Sequence, residues 1–157
     1  MTDTRCVVNS SPMIVFERVG QLDLLRVMLT RVIIPPAVRR EVFGAKPLPA
    51  WIDERALTQP LASRIVSARL GAGERDAIAL ALEMNVTELV LDDLAARRLA
   101  QSLGIPIIGS LGLLLRAKAN GLIPAVRPLM QAMESDEFHI AETLFAQILA
   151  AAGESDQ

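Results

Sequence analysis

At 157 residues the chain has the ordinary size of one domain and can bury a core without disulfides or a structural metal. Apolar residues make up 52% of it, dominated by Leu, Ala, Val and Ile, and aromatics only 3%, a balance that favours helices packed on a sheet over an aromatic-rich β-sandwich. A formal net charge of -2 excludes the broad basic field by which many nucleic-acid binders attract phosphates, and the single cysteine, Cys6, excludes a disulfide framework and any zinc site built on several thiolates.

Cys6-Val7-Val8 is a short β-branched run that ends in Asn9-Ser10-Ser11. Pro12 then opens the apolar segment PMIVFERVGQLDLL, which reads as a helix with Pro12 near its first position. Val32-Ile33-Ile34 reads as a second buried strand, and Pro35-Pro36 ends it and starts the helix AVRREVF, stopped near Gly44. Between Lys46 and Pro60, three prolines, Trp51 and mixed charge predict a loop with one short strand around Ala56-Leu57-Thr58. Beyond it, GAGERDAIALALEMN is a glycine loop feeding a helix, ELVL a buried strand, DDLAARRLAQSLG another helix, and Ile105 to Ile108 a further strand. After Gly109 the pattern is helical throughout, with LGLLLRAKANG, a helix starting near Pro124, and HIAETLFAQILAAAG.

Strands alternating with helices of roughly 10 to 14 residues imply right-handed crossovers and a mainly parallel sheet covered on both faces. The expected fold is a three-layer α/β/α sandwich. Residues 1–153 read as one domain and 154–157 as a disordered tail, and the apolar C-terminal helices suggest a homodimer or partner surface. Every apolar run is interrupted well short of the roughly 18 residues a spanning helix needs. The opening MTDTRCVVNSSP lacks the features of a signal peptide, so no membrane contact and a cytoplasmic location are expected.

In an open parallel sheet, ligands bind in the crevice beyond the carboxyl ends of the strands. Asn9 follows CVV directly and Asp92-Asp93 follow ELVL, so parallel strands bring them to one edge. Glu74 heads the apolar stripe of its helix, three, four, seven and eight residues before Ala77, Ile78, Ala81 and Leu82, and so points inward. Glu41, three residues after Val38, lies on the border of another buried face. Gathering several carboxylates is costly because like charges and desolvation raise their pKa values, and a divalent cation resolves the conflict. Mg²⁺ suits such a place, since it takes oxygen ligands and shares them with substrate phosphates, and Mn²⁺ can replace it. Taken singly, the same acids have ordinary explanations as helix caps or solvated side chains.

The remaining composition narrows the chemistry. His139 is the only histidine and there is no tyrosine, so ribonuclease mechanisms that need a histidine pair are excluded. A Ser or Cys triad would depend on His139, which reads as a surface or capping residue. Gly71-Ala72-Gly73 is neither a dinucleotide fingerprint nor a Walker loop.

Together, VVNSSPMIVF, VIIPPAVRREV, LGAGERDAIALALE and LVLDDLAARRLAQSLGIPIIGSLGLLLRAKANGLIPAVRPLMQAM resemble a prokaryotic branch of the PIN-like domains, from about Val7 to Met133. The resemblance implies a Rossmann-like sandwich, three or four acids holding Mg²⁺ or Mn²⁺, and cleavage of single-stranded RNA. Many relatives of this kind are toxins paired with a small antitoxin protein. Carried over residue by residue, it makes Glu41, Glu74 and Asp93, or alternatively Asp92, the metal ligands and catalytic acids, with Ser11 as a nearby hydroxyl. The chain departs from the pattern at Asn9, where the family has an aspartate; an amide oxygen can ligate but brings no charge. For RNA contact the local cations are Arg97 and Arg98, with Arg116 and Lys118, the last continuing an apolar helical stripe from which it can snorkel towards the site.

Other classes compete with this reading. A PIN-like module that binds RNA or a protein without catalysis is compatible with Asn9. A phospho-acceptor receiver domain needs its acidic pair after the first strand, whereas Asp92-Asp93 come much later. A Rossmann-like small-molecule enzyme lacks its fingerprint.

Overall fold

The computed structural model describes residues 5–155. Its strands are β1(Cys6–Val8), β2(Val32–Ile34), β3(Ile52–Glu54), β4(Glu88–Val90) and β5(Ile107–Ile108). They form one sheet in the order β3-β2-β1-β4-β5, every neighbouring pair parallel. Helices flank the sheet: α1(Ser10–Arg18), α2(Leu22–Leu29), α3(Pro36–Phe43), α4(Ser63–Ser67), α5(Ala72–Met84), α6(Leu94–Ser102), α7(Ser110–Ala119), α8(Arg127–Met133) and α9(Glu142–Ala151). This is the expected three-layer α/β/α architecture.

The strands are short, and β1 and β2 are buried along their whole length, which is why they read as unbroken apolar triplets and not as alternating ones. Burial pushes the Cys6 thiol up to about 12, with nearby Glu88 adding to the effect, so the sulfur stays protonated and serves as a small core residue. The chain runs outward from β1 to β3, then returns to the other side of β1 to lay down β4. The order of connection therefore reverses between β1 and β4, and the crevice at such a switch point is the natural ligand site of an open α/β sheet.

Several local expectations change. The segment PMIVFERVGQLDLL is two helices, because Gly20 takes a left-handed φ of 72° between α1 and α2. Pro12 sits at the third helical position, after Ser10 and Ser11. The third strand is Ile52–Glu54 and not Ala56-Leu57-Thr58; it pairs with β2 through Ile33↔Asp53, and a short edge strand of this kind needs little alternation of its own. Helix α4 lies in a stretch that shows no helical pattern, and α8 begins at Arg127, three residues after Pro124.

Glu154, expected in a disordered tail, is docked: it accepts from Lys118 Nζ at 2.9 Å and from the backbone N–H groups of Val126 at 2.8 Å and Arg127 at 3.2 Å. Of that tail, residues 156–157 lie outside the described residues, as do residues 1–4 of the opening segment. Among the described residues no helix is long and apolar enough to cross a membrane.

Burial tends to raise the Glu154 carboxyl, but the Val126 N–H, Lys118 and the Arg127 N–H outweigh it and hold the group below its ordinary range. A depressed carboxylate stabilises the fold fully above its unfolded pKa and loses that contribution as pH falls through the lower folded value. Glu154→Gln is therefore expected to lower stability at pH 7 by about 1 kcal/mol. In thermal melts against pH, the gap from the parent protein should close as the carboxylate range is crossed; a gap independent of pH would contradict this role.

Candidate functional site

Asn9 is the first residue beyond β1, and its N–H donates to Val90 O at 3.0 Å, which ties it to the carboxyl end of β4. As N-cap of α1 it would ordinarily use its side-chain oxygen to cap the N–H of the second or third helical residue. Pro12 occupies the third position and has no N–H, and Asn9 makes no side-chain cap. Asn9 is 1% exposed, and its Oδ1 is buried with no hydrogen-bond partner among the described residues. An unsatisfied buried oxygen is uncommon, and an ordered water or a bound ion would satisfy it.

Asn9 lines a small cavity of about 170 Å³ together with Ser10, Ser11, Arg18, Glu41, Glu74 and Glu137. Two helices bring the first two acids there. Helix α3 packs on α5, and a Cβ built on Gly73 would lie 2.6 Å from Glu41 Oε1, so the Glu41 carboxylate rests in the space that the glycine leaves. Glu74, in the first turn of α5, reaches back over its own N-cap, where a Cβ on Gly71 would lie 2.8 Å from Glu74 Oε2. Both carboxylates thus crowd the amino end of α5, where the helix dipole favours negative charge. Neither has a hydrogen-bond or ion-pair partner among the described residues.

Asp92 and Asp93 line a larger cavity of about 780 Å³, which shares Ser11, Glu74, Glu137 and Phe138 with the smaller one. The two aspartates have different surroundings. Asp93, the sequence's first choice as a ligand, is exposed and caps α6, its Oδ2 accepting from Ala96 N at 2.9 Å. Asp92 is half-buried and faces Ser110, accepting from its N–H at 2.7 Å and from its Oγ at 2.6 Å. Burial pushes the Asp92 carboxyl above the usual aspartate range, while the Ser110 hydrogen bonds and the charge of Arg97 pull it back. Both aspartates line the larger cavity, Asp92 as the more buried of the two and Asp93 as an exposed residue that also caps α6.

The four cations separate. Arg97 stays at the site: it donates to Leu91 O at 2.9 Å, packs against Gly109 and lines the larger cavity. Arg98 is exposed and lines neither cavity. Arg116 does not face the site but forms a two-pronged pair with Glu88, at 2.8 and 2.7 Å, at the amino end of β4. Lys118 turns to Glu154 and to Ala152 O, away from the site towards which it was expected to snorkel. Helical position alone could not separate these outcomes, because the partners lie 28 and 36 residues away in sequence.

Two charged residues at the smaller cavity are absent from the sequence-based set. Arg18 follows Ser11 by seven positions, so helical periodicity alone puts both on one face of α1; its guanidinium donates to Met133 O at 2.5 Å. Glu137 lies in the loop between α8 and α9, and nothing in its local sequence indicates that this loop returns to the sheet edge. His139, beside it, is exposed and pairs with Glu134 at 3.1 Å, in keeping with a surface role.

A parallel sheet with an acid-lined crevice at its switch point defines a Rossmann-like α/β domain built to hold a polar ligand. The sequence model of the PIN domain matches residues 5–154, and the chain belongs to that family. Its fold is accordingly of nuclease type, and PIN domains typically use divalent metal ions. No curated protein matches the chain significantly.

Among the described residues, as placed, no three Asp, Glu, His or Cys side chains form a ready ligand set. The partnerless Asn9 Oδ1 nevertheless shares its cavity with carboxylates that have no partner either, and the donors are all oxygens. That all-oxygen chemistry is of the kind a hard divalent cation takes.

Gly73→Ala tests how Glu41 is placed. Alanine inside a helix gains about 0.5–1 kcal/mol over glycine, while its methyl displaces the Glu41 carboxylate. A thermal midpoint that is unchanged or higher, with weaker Mn²⁺ binding by titration, is expected; full metal affinity would show that this contact does not position Glu41.

Proposed function

We propose that the protein is a metal-dependent endoribonuclease that cleaves single-stranded RNA, acting as the toxin of a toxin–antitoxin pair. The observation that carries this reading is the convergence of Asn9 Oδ1, Glu41 and Glu74 on one cavity at the switch point, with Asp92 beside it, in a chain of the PIN family.

Asn9, Glu41 and Glu74 would hold a Mg²⁺ or Mn²⁺ ion, with Asp92, whose oxygens already accept from Ser110, beside it. When bound, such an ion polarises a phosphodiester, lowers the pKa of a water and neutralises charge on the leaving oxygen. The protein's own groups do the rest. Ser11, on the wall shared by both cavities, offers a hydroxyl to a phosphate oxygen, and Arg97 supplies positive charge at the larger cavity. The apolar side chains of Ile107, Leu111, Phe138 and Leu144 line that cavity and can accept a base splayed from a single strand, with Phe138 as the stacking surface. With a net charge of -2, binding depends on these local groups and not on a general basic field. A small antitoxin and a second copy of the chain are the expected protein partners, and α9, with Leu144 exposed and Phe145 half-buried, is the surface for them.

The neutral amide at Asn9 favours a second reading, a PIN domain that binds RNA without cutting it. The two separate in one assay: incubation of a mixed single-stranded RNA pool with Mn²⁺, with Mg²⁺ and with EDTA, beside Glu74→Gln. Cutting that needs metal and disappears in Glu74→Gln is the expected result. A folded protein that retains RNA but cuts nothing under any condition would establish the binding module instead.

A further inference from the structure

Building on the metal-site reading above, we propose that Glu137, from the loop between α8 and α9, is a metal ligand that supplies the negative charge Asn9 lacks. The need for another acid follows from the occupations of those already described. Both oxygens of Asp92 accept from Ser110, and Asp93 caps α6. The acids with no partner among the described residues that line the cavity with Asn9 are Glu41, Glu74 and Glu137.

The independent pointer to a ligand is Asn9 itself, 1% exposed, with an Oδ1 that nothing among the described residues satisfies. An amide oxygen brings no net charge, so two glutamates alone would only balance a divalent cation. A third carboxylate strengthens binding, because affinity for such cations follows the ligand charge count.

Glu137 is exposed at the rim of the cavity, on a loop whose backbone is braced. Its loop is closed on itself by Ser135, whose N–H donates to Phe138 O at 2.9 Å and whose Oγ accepts from the N–H groups of Glu137 and Phe138. Glu134 secures the far end by accepting from Ile140 N at 2.9 Å. Buried Met133 and Ile140 anchor both ends, and Arg18 of α1 grips the near end at Met133 O. The Glu137 carboxylate has no partner among the described residues, including Arg18 across the same cavity.

The test is Mn²⁺ titration of the purified full chain, read by calorimetry or by the loss of free Mn²⁺ resonance, without RNA. The proteins compared are wild type, Glu137→Gln, Glu74→Gln, and Glu137→Gln combined with Asn9→Asp, each checked by thermal melt. Glu137→Gln should bind Mn²⁺ about tenfold more weakly with the melt unchanged, and Asn9→Asp should restore the loss by returning the missing charge. Wild-type affinity in Glu137→Gln, beside weakened binding in Glu74→Gln, would overturn the role of Glu137 and leave the metal site standing. Weakened binding that Asn9→Asp does not restore would overturn the charge exchange with Asn9. No binding by the wild type would overturn the metal reading and this inference with it.

Discussion

Parallel pairing of β1 with β4, through Cys6↔Glu88, Val7↔Leu89 and Val8↔Val90, positions the rest of the site. These strands are distant in sequence, and their alignment brings Asn9 and Asp92 to the same edge of the sheet. The Asn9 N–H to Val90 O bond extends the ladder beyond β1 and fixes the start of α1. From there Pro12 narrows the options of the Asn9 side chain, since it removes one of the two helical N–H groups that a capping oxygen ordinarily meets. A structural choice in the first turn of a helix thereby leaves a buried acceptor facing the crevice.

Electrostatics explains why acids can be held there. The carboxylates of Glu41 and Glu74 stand at the amino end of α5, against the glycines at its N-cap and in its first turn, and the helix dipole offsets part of their repulsion. Glycines at these positions serve space more than flexibility, because a methyl at either would meet a carboxylate oxygen closer than van der Waals contact allows. Asp92 is held differently, by two hydrogen bonds from Ser110 that limit the rise in its pKa caused by burial. One cluster is steadied by a helix end, the other by a buried serine.

The order of strands and helices was legible because buried β-branched triplets such as Val7-Val8 and Val32-Ile33-Ile34 alternate with longer amphipathic runs. The candidate acids were legible for a related reason: residues just after parallel strands and at the heads of inward helical faces must approach one edge. What stayed hidden depended on distant partners. Asp92 and Asp93 are chemically alike, and only Ser110, eighteen residues on, distinguishes the buried one from the cap. Arg116 and Lys118 looked free until Glu88 and Glu154 were placed beside them. Glu137 has no periodic signal, since its loop reaches the site through the packing of α8 and α9. The break at Gly20 and the edge strand Ile52–Glu54 are local features too short for periodicity to reveal.

The central claim, that the crevice between β1 and β4 is a divalent-cation site, is tested most directly by anomalous diffraction from crystals grown with saturating Mn²⁺. A peak within coordinating distance of Asn9 Oδ1 and the carboxylates of Glu41 and Glu74 is predicted. An empty crevice, or manganese bound only elsewhere on the surface, would contradict the account.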